Sequence, residues 1–120
     1  MELIRKAQIE VFENSGVESH QLIFPENSES LRVTITKVLI AGGATNPPHR
    51  HNSSEQIWVA LSGAGTLLLD EGRSVPFSEG DVVRFADGDF HGFKNTGSDI
   101  FVYLSVTSPP QNFRDTYQQE

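Results

Sequence analysis

Apolar and polar residues alternate along this chain in short runs, and no stretch sustains the spacing of an amphipathic helix. Runs rich in β-branched and aromatic residues cover positions 8–12, 21–24, 31–40, 56–61, 66–69, 82–85 and 99–106, and they predict strands. In the third run Leu31, Val33 and Ile35 fall on one face and Arg32, Thr34 and Thr36 on the other, until Lys37 interrupts the alternation. Turn signals separate the runs: Ala41-Gly42-Gly43, Ser62-Gly63-Ala64-Gly65, Ser78-Glu79-Gly80-Asp81, Asp87-Gly88-Asp89 and Asn95-Thr96-Gly97-Ser98. Leu67 to Leu69 and Ser74 to Phe77, joined by Asp70-Glu71-Gly72-Arg73, read as a hairpin. Many short strands at regular spacing predict an all-β sandwich or barrel.

A length of 120 residues suits one domain. With no cysteine, disulfides and thiolate chemistry are excluded, and any metal must be held by nitrogen and oxygen. The net charge is -7 and no basic cluster interrupts it, which argues against a nucleic-acid partner. The apolar run from Ile57 to Leu61 is far too short to cross a bilayer, and the start MELIRKAQIE lacks the apolar centre of a signal peptide. These features predict a cytoplasmic protein without a membrane partner.

The candidate chemistry sits between these runs. His49 and His51 follow Pro47-Pro48, and residues two apart on a strand share a face, so one strand can aim both imidazoles at one point. Neutral imidazole is a good ligand for zinc, copper, iron and nickel. Glu55 and Gln56 are adjacent, so only one of them faces the same interior. Gln56 would share its face with Trp58, Ala60 and Ser62, and Glu55 with Ile57, Val59 and Leu61. The aliphatic face suits a core, but a barrel strand can be covered on both sides, so both choices stand. His91 lies forty residues beyond His51 and opens another run, with Phe93 and Asn95 on its side.

These residues resemble the two motifs of the cupin superfamily. Gly43, His49, His51, Gln56 and Gly63 (43–63) match the first, with glutamine where glutamate is usual. Gly80, Gly88, His91 and Asn95 (80–95) match the second, with Ala86 in place of proline. The short spacer between them resembles compact bacterial cupins. The resemblance implies a single-domain cupin (jelly-roll) β-barrel over residues 1–120. It also implies one divalent metal, zinc, nickel, iron or manganese, held by His49, His51, Gln56 and His91. The family's six-residue step to Gly63 selects Gln56 over Glu55. A glutamine at this place is similar to cupins that convert unsaturated uronic acids, and a neutral ligand would leave the ion its full +2 charge.

Further candidates are Glu55, Tyr103 and Arg84 for catalysis, with Asp89 as another possible base, and Trp58, Arg84, Phe93 and Tyr103 for holding a substrate. Arg84 can bind a carboxylate through two hydrogen bonds. Arg50, lying between the histidines, should face away from them, and Phe113 should pack back on the barrel. The expected function is a metal-dependent isomerase, tautomerase or lyase acting on a small anionic metabolite such as a sugar acid. A metal-dependent dioxygenase and a non-catalytic small-molecule binding module are the alternatives. The resemblance also implies a homodimer, with the run at 9–12 as its edge.

Overall fold

The structure, a computed structural model, describes residues 1–118. In chain order the strands are β1 (Glu10–Asn14), β2 (Val17–Ile23), β3 (Thr34–Ile40), β4 (Thr45–His49), β5 (Glu55–Ser62), β6 (Ala64–Leu69), β7 (Ser74–Ser78), β8 (Val82–Phe85), β9 (His91–Lys94) and β10 (Phe101–Ser108), followed by a short helix α1 (Arg114–Gln118). They form two antiparallel sheets, one ordered β1-β2-β3-β10-β5-β8 and the other β4-β9-β6-β7, the arrangement of a jelly-roll barrel. Among the described residues no helix is long and apolar enough to cross a membrane.

The two sheets enclose an interior that changes character from one end to the other. Cross-strand rows of the larger sheet show it. Val17, Ile40 and Phe101 form one row, and Ser19, Val38, Tyr103 and Ala60 form the next. Gln21, Thr36, Ser105 and Trp58 follow, and then Thr34, Thr107 and Gln56. The first row packs with Leu67, Phe77 and Phe93 as a closed apolar core. The last two rows are mostly hydroxyls and amides, all of them buried.

This gradient inverts the apolar-inward rule in the first half of β3 and settles which face of 31–40 turns in. The strand starts only at Thr34, and Leu31 is 88% exposed. Its inward residues are Thr34, Thr36, Val38 and Ile40, while Ile35 and Leu39 lie half-buried on the outside. The same inversion occurs in β5, where Gln56, Trp58 and Ala60 face in and Ile57 and Val59 face out. Buried threonines and amides are stable there because they hydrogen-bond one another and the chain: Gln56 Nε2 donates to Thr107 Oγ1 at 2.9 Å, and Thr34 Oγ1 donates to the Gln111 carbonyl at 2.7 Å.

β4 was missed by β-propensity because it reads Thr-Asn-Pro-Pro-His. Proline lacks the N–H a central strand needs. Here it is tolerated because β4 is the outer strand of its sheet and pairs with β9 alone, with a register shift between Asn46 and His49. Gly92 allows this contact, since a Cβ there would lie 2.7 Å from the Asn46 carbonyl oxygen and the Pro48 nitrogen. The close approach sets His49 directly opposite His91. Asn95 ends β9 as expected of a turn residue: its Nδ2 donates to the carbonyls of Ile40 and Asp99, and its Oδ1 accepts from Gly97 N–H.

Beyond β10 the chain crosses the mouth of the barrel. Arg114 pins it there, pairing with Glu26 at 2.6 Å and with Glu10, and lying 4.8 Å over the Phe12 ring.

Candidate functional site

His49, His51 and His91 meet at the polar end of the barrel, with ligand-capable nitrogens within 4.8 Å of one another. His49 closes β4 and His91 opens β9. His51 was expected to share a strand with His49, but β4 ends at His49 and His51 stands just past it. The rings still converge, with centroids 4.8 Å apart for His49 and His51, and 4.7 Å for His49 and His91. His91 is the most constrained, stacked flat on Phe85 at 4.0 Å and edge-on to Trp58 at 5.4 Å.

Gln56 faces inward beside His91, and its orientation can be read from its neighbours. The Trp58 indole N–H can only donate, and it lies 3.1 Å from Gln56 Oε1, so the oxygen of the amide is on that side. The same oxygen is 3.1 Å from His91 Nε2. His91 Nδ1 is in turn 2.9 Å from the Asp89 carbonyl oxygen. Each ring nitrogen of His91 thus faces an acceptor, and a neutral imidazole has only one proton for the two. With the proton on Nδ1, two lone pairs are left facing each other across 3.1 Å. A cation is what such a pair of acceptors fits. His51 Nε2 adds a second such observation, being buried with no hydrogen-bond partner. His49 Nδ1 lies 3.0 Å from the Pro47 carbonyl oxygen, which leaves its Nε2 bare as well. Histidine ligands are commonly oriented this way, through the nitrogen that does not bind. The donor set, three imidazoles and one amide oxygen, fits a divalent transition ion.

Burial and the neighbouring His49 imidazole hold both His51 and His91 down at about 4. The folded chain therefore keeps them neutral, while the unfolded chain protonates them near the ordinary 6.5. Between these values the unfolded state binds more protons, so stability is full above 6.5 and is lost as pH falls towards 4. The expected result for metal-free protein is a urea midpoint that drops steadily across this window. A double variant His51→Gln/His91→Gln should lose most of that slope, and an unchanged slope would contradict the assignment.

His49, His51 and Gln56 border a cavity of about 610 Å³, and His91 stands behind Gln56 rather than in its lining. Its larger-sheet wall carries Ser19, Thr36, Ser105 and Tyr103, and Trp58 and Phe113 supply aromatic surface. Gln111, Phe113, Thr116 and Tyr117 of the C-terminal segment complete it. Among the described lining residues there is no carboxylate, and Arg50 is the one charged side chain other than histidine. The Arg50 guanidinium lies 5.3 Å over the Phe90 ring.

Of the residues singled out from sequence, Trp58 and Tyr103 reach the cavity. Glu55 and Arg84 do not: parity places Glu55 on the outer face of β5, where it pairs with Arg84 of β8 at 2.6 Å. Asp89 is spent on its turn, accepting the Ala86 N–H at 2.8 Å. Phe93 is a core residue, 0% exposed and stacked on Phe101 at 4.1 Å. Conversely, Asn46, Thr36, Ser105 and Gln111 line the cavity without having been anticipated. A hydroxyl-rich inward face in an otherwise apolar strand was the signal available for Thr36 and Ser105.

Comparison with known proteins adds a family match. The family model for the cupin domain covers residues 36–107. Auxin-binding protein 1 of Arabidopsis thaliana is 35% identical over 79 residues, which are 58% of this chain but only 39% of that protein. Among solved structures, the polyketide cyclase RemF of Streptomyces resistomycificus superposes with a TM-score of 0.77 at 21% identity, covering 90% of this chain and 79% of its own. KdgF from a Halomonas species gives 0.74 at 20% identity, covering 90% and 94%. At such identities the two structural likenesses concern the fold.

Proposed function

The chain belongs to the cupin family, and from that premise we propose that it is a metal-dependent enzyme acting on a small anionic metabolite, with a sugar acid as the leading class and isomerisation, tautomerisation or elimination as the reaction type. His49, His51, His91 and Gln56 would hold the ion. The observation that carries this reading is the absence of a carboxylate among the described residues lining the cavity. No negative side chain offsets a +2 ion or repels an anion there. When bound, the ion supplies Lewis acidity towards an oxygen of the substrate.

The chain's own groups supply the rest. Tyr103 is buried, and burial drives its pKa well above the ordinary phenol range, so it keeps its proton. Its oxygen already accepts a hydrogen bond from Asn46 Nδ2 at 3.0 Å, so its own O–H is left to donate. A donor of this kind, fixed before the substrate arrives, stabilises negative charge as it develops on oxygen. Ser19, Thr36 and Ser105 offer neutral partners to substrate hydroxyls, and Trp58 and Phe113 exclude water.

The test is a panel of small organic acids given to metal-loaded protein, with turnover and oxygen uptake followed together. Oxygen-independent conversion of an acid is expected. Tyr103→Phe should then lower kcat by about 10²-fold, the scale of losing one preset donor, with little change in KM. Rapid oxygen uptake would replace this reading with a dioxygenase.

The carboxylate-free lining also favours a second reading, binding without turnover, because neither Glu55 nor Asp89 can serve as a base in the cavity. A relative named for binding auxin is in keeping with it. An acid that raises the melting temperature but is never converted would support it.

A further inference from the structure

Two of the three histidines are oriented by backbone carbonyls, His49 by Pro47 and His91 by Asp89. His51 differs, because its partner is a side chain, Gln111, in the segment that crosses the cavity mouth. An amide side chain can present either end, so what decides which end faces His51 matters.

A directional chain of hydrogen bonds decides it. Ser54 Oγ lies 3.1 Å from the Pro109 carbonyl, which can only accept, so the serine proton is used there. Ser54 Oγ must then accept its other bond, and Gln111 Nε2 donates to it at 2.9 Å. With its nitrogen committed to Ser54, Gln111 presents Oε1, an acceptor, to the His51 ring. His51 must bring an N–H to that oxygen. The nitrogen without a partner, Nε2, is therefore the one without a proton, and it is buried in the cluster of the three histidines. Gln111 is itself held in place, since its backbone N–H donates to Thr34 Oγ1 at 3.0 Å and its carbonyl accepts from the same hydroxyl at 2.7 Å.

We propose that Gln111 is a positioning residue for His51: the relay from Pro109 through Ser54 and Gln111 sets the tautomer that points a bare Nε2 at the metal site. The segment over the cavity is thereby part of the site's wiring, and a change in how it seats is transmitted to one imidazole. The proposal rests on the metal reading above for its purpose, but the tautomer itself is a property of the metal-free chain.

The experiment therefore uses two readouts. Long-range nitrogen–proton NMR of the metal-free full chain at neutral pH reports the His51 tautomer, and competition with a chromogenic chelator reports zinc affinity. Wild type should show a single tautomer protonated on Nδ1. Gln111→Leu, which keeps bulk and removes the acceptor, should give a tautomer mixture and weaken zinc by roughly 10–100-fold, the scale of losing an outer hydrogen-bond partner of a ligand. Gln111→Glu keeps an acceptor and should retain the Nδ1 tautomer and bind zinc at least as well as wild type. Ser54→Ala leaves Gln111 in place but frees its amide to turn, and should give an intermediate loss. A pure Nδ1 tautomer and unchanged zinc affinity in Gln111→Leu would overturn the proposal. Absence of zinc binding by wild type would instead count against the metal reading, and the tautomers would still decide the role of Gln111.

Discussion

His91→Ala protein, purified without a metal-chelating tag, is expected to carry only background metal where the wild type carries about one ion per chain. His91 is the histidine of the cluster that the fold holds most firmly: Phe85 stacks on one face of it, Trp58 meets its edge, and the Asp89 carbonyl faces its Nδ1. Removing it also takes away one of the two nitrogens that lie 3.1 Å from Gln56 Oε1, leaving the Trp58 indole as the other. What remains is His49 and His51, two ligands on one short stretch, with Gln56 alone on the opposite wall. The metal-free variant should fold, because the lost ring leaves space beside the cavity and ends the mismatch of two acceptors around one proton. His91→Gln, which retains more volume, should lose metal equally. Elemental analysis alongside circular dichroism checks both variants, and full metal occupancy in either would remove His91 from the site.

Phe93→Ala is expected to have the opposite profile, a large loss of stability with little direct effect on metal. Phe93 is 0% exposed, stacks on Phe101 at 4.1 Å and meets Phe77 edge-on at 6.4 Å. Truncating a phenylalanine in such a setting costs about 3–5 kcal/mol, from lost burial and the cavity left behind. Its neighbour two residues earlier is His91, so the sequence alone places both on one face and allows a substrate role for Phe93. The structure separates them by the gradient along the barrel, with His91 at the polar end and Phe93 in the closed core. Urea unfolding gives the stability change, and zinc titration of the folded protein gives the second number. A large fall in zinc affinity with less than ~1 kcal/mol of destabilisation would return Phe93 to the site.

The contrast shows what the sequence could and could not carry. Glycines and histidines at fixed intervals located the turns and the cluster, because turn geometry and metal ligation each demand particular residue types. Strand phase was harder to read. At the polar ends of β3 and β5, Ile35 and Ile57 lie outside and Thr34, Thr36 and Gln56 inside, so a rule that equates apolar with inward picks the wrong face there. That rule fails here because part of the interior is a cavity rather than a packed core. It would also have chosen Glu55 over Gln56, whereas the structure turns Glu55 outward to Arg84. The contribution of Gln111 was beyond reach for another reason. It arrives from fifty-seven residues past Ser54, and only the path of the C-terminal segment brings the two within 2.9 Å.

The proline pair before His49 has a consequence for how these molecules behave in a crowd. β4 lies at the border of its sheet, where an unpaired backbone would invite a strand from a neighbouring molecule. Pro47 and Pro48 remove two successive N–H groups from β4, and because successive groups point to opposite sides, one of the two is lost from that border. The segment that carries the histidines to the cavity is thus also a poor template for intermolecular pairing. Substituting both prolines should therefore be judged by aggregation during refolding as well as by loss of metal.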